Sequence, residues 1–94
     1  MKDIEKYSDP EQVYRNAIKY YGNDVDIRFS TRKNKKYALY DPIDDKWIHF
    51  GYYGMQDYTK HKNQMRREAF RRRNHKWANS PKYSPAYASY YLLW

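Results

Sequence analysis

The chain has 94 residues, no cysteine, 19 Lys and Arg against 11 Asp and Glu, and a formal net charge of +8. That length supports one domain with a modest core, burying about 60 to 65% of the surface its unfolded form exposes, and the absence of cysteine excludes a disulfide framework and thiolate metal ligands. The opening MKDIEKYSDPEQ lacks the apolar stretch of a signal peptide and no apolar run approaches membrane-spanning length, so neither a signal peptide nor a membrane partner is expected.

In chain order, Ser8-Asp9-Pro10-Glu11 has the chemistry of a helix start. Ser8 or Asp9 can cap, Pro10 fits the first turn, and Glu11 or Gln12 can complete a capping box. Gly22 is the matching stop, and Val13, Ala17 and Tyr21 recur every four residues, with Tyr14 and Ile18 beside them. Val25, Ile27 and Phe29 then alternate with polar residues, as in a half-buried strand. After a polar turn, residues 31 to 35, the alternation resumes at Lys36-Tyr37-Ala38-Leu39-Tyr40. It breaks at Asp41-Pro42-Ile43-Asp44-Asp45 and returns at Trp47-Ile48-His49-Phe50, which predicts a three-stranded antiparallel meander with an exposed acidic hairpin loop. Gly51 and Gly54 bracket Tyr52 and Tyr53 in a linker where positive φ or close backbone approach is expected.

Asp57 or Thr59 can cap a second helix, the stretch HKNQMRREAFRRRNHKW over residues 61 to 77. Its narrow apolar stripe would be Met65, Ala69 and Phe70. Ser84-Pro85 opens a last short helix over residues 86 to 93, in which Tyr87, Tyr90, Tyr91, Leu92, Leu93 and the following Trp94 are apolar nearly all round. Such a segment must dock, either on its own sheet near Leu39, Trp47 and Ile48 or on a neighbouring molecule. The expected fold is a small single α+β domain over residues 1 to 94, with an N-terminal helical segment (1 to 22), a three-stranded sheet (23 to 51), and an Arg-rich helix and short aromatic C-terminal helix (52 to 94).

Charge is distributed unevenly along these elements. Up to Tyr58 the chain carries ten bases and ten acids; from Thr59 onward it carries nine bases and one acid, Glu68, so the whole net charge belongs to the last 36 residues. Helix-dipole chemistry favours Arg71, Arg72 and Arg73 at a C-terminal turn, yet like charges four apart repel, so dipole and solubility alone do not explain the run. Guanidinium forks pair with phosphate oxygens, and Tyr and Trp rings stack on bases. Lys62, Arg66, Arg67, Arg71, Arg72, Arg73 and Lys76, with Tyr58 and Trp77 beside them, are therefore the candidate nucleic-acid-binding residues, with Tyr52 and Tyr53 nearby. No sequence-reading module is present, so contact with the phosphate backbone and little base readout is expected. His49, His61 and His75 fit no metal-ligand spacing, and no nucleophile elbow or phosphate loop occurs. No catalytic residue, metal or cofactor is expected, and the protein reads as a non-enzyme.

WIHFG at residues 47 to 51, Gly54, DYTKHK at 57 to 62, the basic helix with Phe70 and Arg73, and the closing SYYLLW at 89 to 94 together resemble a family of small, basic, functionally uncharacterised proteins encoded by large double-stranded DNA viruses and some phages. The resemblance spans residues 36 to 94, with Asn74 standing where the family pattern has His and His75 one place on. It implies a viral protein associated with the virion or with viral DNA, located in the virion or in the host cytoplasm or nucleus where viral factories form. The leading expectation is a nucleic-acid-binding or genome-packaging accessory, with DNA as partner. A minor capsid or other virion structural protein that binds further virion proteins is the alternative, and a small metal-dependent nuclease using Asp57 and His61 is the third.

Overall fold

Helix α1, Pro10–Tyr21, begins where Asp9 turns its carboxylate back to accept the Gln12 N–H, with Pro10 in the first turn, and it stops at Gly22. Ser8, the other candidate cap, is buried and bonded elsewhere. The computed structural model describes residues 3–94. Val13 and Ala17 are buried on the inner face of α1 while Tyr14 and Ile18 stay exposed, so the spacing of four marked the packed stripe.

Strands β1 (Ile27–Phe29), β2 (Lys35–Asp41) and β3 (Lys46–Tyr52) form an antiparallel sheet in the order β1-β2-β3. β1 is shorter than its alternation suggests, and Phe29 at its end is exposed. In the hairpin loop, Asp41 accepts the backbone N–H groups of Ile43 and Asp44, and Asp45 takes φ +52, so the break is built by an aspartate turn rather than by proline alone. Register pairs Tyr37 with Phe50 and Leu39 with Ile48. These four, buried, make the core face of the sheet. Period-two geometry sends Trp47 to the opposite face, where it meets Tyr40 and lies under Arg28, so it is not a partner of the C-terminal segment as the apolar run suggested.

The stretch 61 to 77 is not one helix. A single turn, α2 (Tyr58–His61), ends at Lys62, which adopts the left-handed conformation (φ 56), and α3 (Gln64–Arg73) starts afresh with Asn63 accepting the Arg66 N–H. A 3-10 turn, His75–Asn79, follows. A Ser84-capped helix, α4 (Pro85–Ala88), then runs into a π-helical turn, Ser89–Leu93. Ala88, Leu92 and Leu93 are buried with Ile4, Val13, Ala17, Leu39, Ile48 and Phe50 in one cluster. The C-terminal segment therefore docks on its own domain, between α1 and the sheet.

Tyrosines line the seam between α1 and this segment: Tyr20 meets Tyr91 with ring centroids 5.0 Å apart, and Tyr21 meets Tyr83 and Tyr87. Their polar ends find carbonyls, Tyr21 donating to Lys82 O (2.7 Å) and Tyr91 to Ala78 O (3.1 Å), while Asn16 donates to Leu92 O (2.9 Å). This is how a core short of Leu, Ile and Val is closed with half-buried phenols. Among the described residues no helix is long and apolar enough to cross a membrane.

Gly51 has φ +79, and a Cβ there would stand 2.9 Å from Leu93 Cδ1 and 3.3 Å from the Lys36 stem. The C-terminal segment is thus seated on a bare backbone position of β3. Burying Leu92 and Leu93 is worth roughly 2 to 3 kcal/mol each, a large share of the roughly 5 to 14 kcal/mol expected of a domain this size. Deletion of residues 92 to 94 should unfold the domain, read as loss of helical circular dichroism; a truncated chain that stays folded and cooperative would show that the segment is dispensable.

Candidate nucleic-acid interface

The site is assembled at the junction between β3 and α3, and a buried polar network fixes that junction. Lys36 on β2 and Asp57 at the start of α2 are 2% and 1% exposed, with Nζ 3.0 Å from Oδ2. Thr59 donates to Asp57, Ser8 bonds Thr59 (3.2 Å), and the Tyr37 hydroxyl donates to Ser8 (2.7 Å). Since Thr59 gives its proton to Asp57 and Ser8 receives that of Tyr37, the Ser8 proton points to Thr59. The chain of donors runs one way, from Tyr37 to Asp57. The Asp9 N–H also donates to Thr59 Oγ1 (2.9 Å), and the Tyr7 carbonyl accepts from both Asp57 N (3.0 Å) and Lys36 Nζ (3.4 Å). Burial holds the Lys36 ammonium below the ordinary lysine value, with Asp57 pulling it back up.

This network accounts for the DYTKHK stretch in structural terms. Asp57 occupies the N-cap position of α2 but makes no side-chain cap bond, because its carboxylate is committed to Lys36 and Thr59. Asp57 and His61 are neighbours through the backbone, the His61 N–H donating to the Asp57 carbonyl (3.1 Å), but among the described residues their side chains form no direct bond. His61 accepts the Asn63 N–H at Nδ1 (2.9 Å) and packs between the rings of Tyr58 and Trp94, leaving a buried Nε2 without a hydrogen-bond partner among the described residues. Burial, and then the Arg66 charge, push its pKa below the ordinary imidazole value. Among the described residues no group of His, Asp and Glu side chains is placed to hold a metal ion.

The nine sequence-predicted binding residues separate into two sets. Arg67 and Arg71 face inward. Arg67 Nε donates to the Trp94 main-chain oxygen (2.7 Å) with its guanidinium over Tyr58, and Arg71 Nε donates to the same oxygen (3.2 Å) with its guanidinium over Tyr90. Tyr58 is half-buried beneath Arg67 and donates to Gln64. Arg67 and Arg71 thus hold the C-terminal segment onto α3, with Tyr58 packed beneath Arg67. Phe70, between the two arginines in sequence, stacks on Trp94 with centroids 4.3 Å apart and planes 7° apart, and meets Trp77 in an edge-to-face arrangement. The expected stripe of Met65, Ala69 and Phe70 is thereby corrected. Met65 lies about 160° round the helix from Arg67 and is 81% exposed.

Lys62, Arg66, Arg72, Arg73 and Lys76 are exposed, and none of their side chains takes part in a hydrogen bond or ion pair among the described residues. Ion pairs are found elsewhere on the described residues, among them Lys6–Asp3, Arg15–Glu11, Arg28–Asp26 and Lys36–Asp57. Trp77 is 36% exposed at the end of this surface. Sequence reasoning did not separate the inward-facing arginines from the exposed cations, since the acceptor for Arg67 and Arg71 lies 27 and 23 residues away. Lys36 was missed for the same reason: nothing local in KYALY separates a buried lysine from a solvated one.

A family model described as a family of unknown function (DUF5754) matches residues 25–77, more than half of the chain. The chain belongs to this family. The matched segment begins just before β1 and ends at Trp77, so it contains the sheet, both members of the Lys36–Asp57 pair and all of α3. Helix α1 and the C-terminal segment lie outside it. No curated protein and no solved structure matches the chain.

Truncating a guanidinium that holds a buried partner should cost stability, whereas exposed arginines with no partner should be near neutral. Arg67→Gln and Arg71→Gln should each lower stability by about 1 to 2 kcal/mol, and Arg66→Gln, Arg72→Gln and Arg73→Gln should each stay within about 0.5 kcal/mol. Urea unfolding of the five variants checks the split; equal effects at all five positions would contradict it.

Proposed function

We propose that this protein binds the phosphate backbone of nucleic acid through the outer surface of α3 and the following 3-10 turn. The observation that carries the reading is the set of five exposed cations, Lys62, Arg66, Arg72, Arg73 and Lys76, with no acid paired to any of them among the described residues, in the part of the chain that holds all of the net charge. A surface helix that serves only solubility mixes its signs; one that meets a polyanion does not. The resemblance to small basic proteins of large double-stranded DNA viruses supports a viral genome as the polyanion and packaging as the setting. The docking of Leu92 and Leu93 in the domain's own core favours a self-contained binding module over a virion structural protein that offers this segment to a neighbour.

Four to five phosphate contacts should give a log-log salt slope near −4 on duplex DNA, with little dependence on sequence. Replacing Arg66, Arg72 and Arg73 together by Gln should flatten that slope by up to about three units while the fold is kept. A triple variant that binds as the parent does, at every salt concentration, would remove this surface from consideration.

A further inference from the structure

Beside the outer surface of α3, a cleft of about 400 Å³ opens between that helix and the end of β3 with its following loop. The volume falls in the range that holds small ligands. On α3 its wall is Arg66, Ala69, Phe70 and Arg73. With 3.6 residues per turn, positions 66 and 73 stand on one face about 10 Å apart, and positions 69 and 70 fill the gap between them. The wall is therefore an apolar centre flanked by two guanidinium groups. Tyr52, from β3, and Trp77, from the 3-10 turn, also line the cleft, and they are 59% and 36% exposed. One face of Phe70 is already covered by Trp94, so Tyr52 and Trp77 are the rings left to receive a flat partner.

This combination selects its occupant by charge and shape. An apolar ligand would leave Arg66 and Arg73 unused, and a simple anion would leave two large exposed rings unused. A nucleic-acid base with its flanking phosphates uses both, since bases stack on aromatic rings and phosphates pair with guanidinium forks. A base inside a duplex is not available to such a cleft. We infer that the cleft between α3 and β3 takes one unpaired nucleotide, its base against Tyr52 and Trp77 and its phosphates on Arg66 and Arg73, so that the protein prefers single-stranded to duplex nucleic acid. The inference rests on the phosphate-binding reading above and adds a base-stacking site to it.

The test titrates the full chain with a short oligothymidylate, a duplex of the same length and thymidine monophosphate, following anisotropy and tryptophan fluorescence. The single strand should bind more tightly than the duplex and quench tryptophan, because Trp77 and Trp94 border the cleft. Tyr52→Ala and Trp77→Leu should each weaken single-strand binding roughly 5- to 150-fold, the range for loss of one stacked base, and Tyr52→Ala should leave duplex affinity within about twofold. Tyr52→Ala is the cleaner variant, because that ring is exposed whereas Trp77 packs on Phe70. Saturable binding of thymidine monophosphate that is lost in Tyr52→Ala would support the cleft with a free nucleotide as its source; strand binding without it would support an internal nucleotide of a strand. Equal affinity for both forms, unchanged by Tyr52→Ala and Trp77→Leu but reduced by loss of Arg66, Arg72 and Arg73, would overturn the cleft and leave the phosphate reading standing. Binding that ignores those arginines as well would overturn both.

Discussion

Lys36 and Asp57, 21 residues apart, are brought together where both side chains are almost wholly buried. Taking either ion out of water alone costs several kcal/mol, and only a close partner with further hydrogen bonds offsets that cost. Here the further bonds exist. Asp57 also receives Thr59, Lys36 also reaches the Tyr7 carbonyl, and Thr59 is bonded to Ser8 and Asp9. Three separate stretches of chain thus meet at one charge pair: the approach to α1, the middle strand and the start of α2. Satisfying this network sets where the chain leaves the sheet and the direction in which α3 is launched. A well-packed apolar pair could be as stable, but it would carry less information about register and partner.

From that anchor the arginines of α3 serve two different ends. A helix this short in apolar residues cannot be held by hydrophobic burial, and none of its side chains is fully buried. Instead Arg67 and Arg71 lay their stems and guanidinium planes over Tyr58 and Tyr90 and share the Trp94 oxygen, with Phe70 stacked on Trp94. Cations that face inward are consumed by the fold. Cations that face outward keep their full capacity for a phosphate partner, and the proposed function rests on those. Charge density along a sequence therefore overstates the exposed cationic surface, because composition does not distinguish a clamp from a solvated side chain.

Elements written in local chemistry were legible. The Pro10 start and Gly22 stop, the three-strand alternation, the positive φ of Gly51 and Gly54 and the Ser84 cap all stand where turn and capping rules place them. What local chemistry does not encode was misread or missed. Lys62 in the left-handed conformation and Asn63 as a new cap split one apparent helix into two, although Asn63 before Gln64 is the kind of cap a closer reading of the sequence supplies. Trp47 and Ile48 are neighbours, so only one of them can face the core, and the register chose Ile48. The Lys36–Asp57 pair and the acceptors of Arg67 and Arg71 lie beyond any local window, and no spacing rule reaches them.

The organising role of the buried pair is open to one decisive measurement, a double-mutant cycle in denaturant unfolding with Lys36→Met, Asp57→Leu and the two combined. Each single change leaves an ion buried without its partner and should destabilise by about 3 to 5 kcal/mol. The combined change removes both charges and should recover at least about 2 kcal/mol of the summed loss. Single effects that simply add, to within about 0.5 kcal/mol, would mean that the two groups do not act as a pair and that something else holds α3 against the sheet.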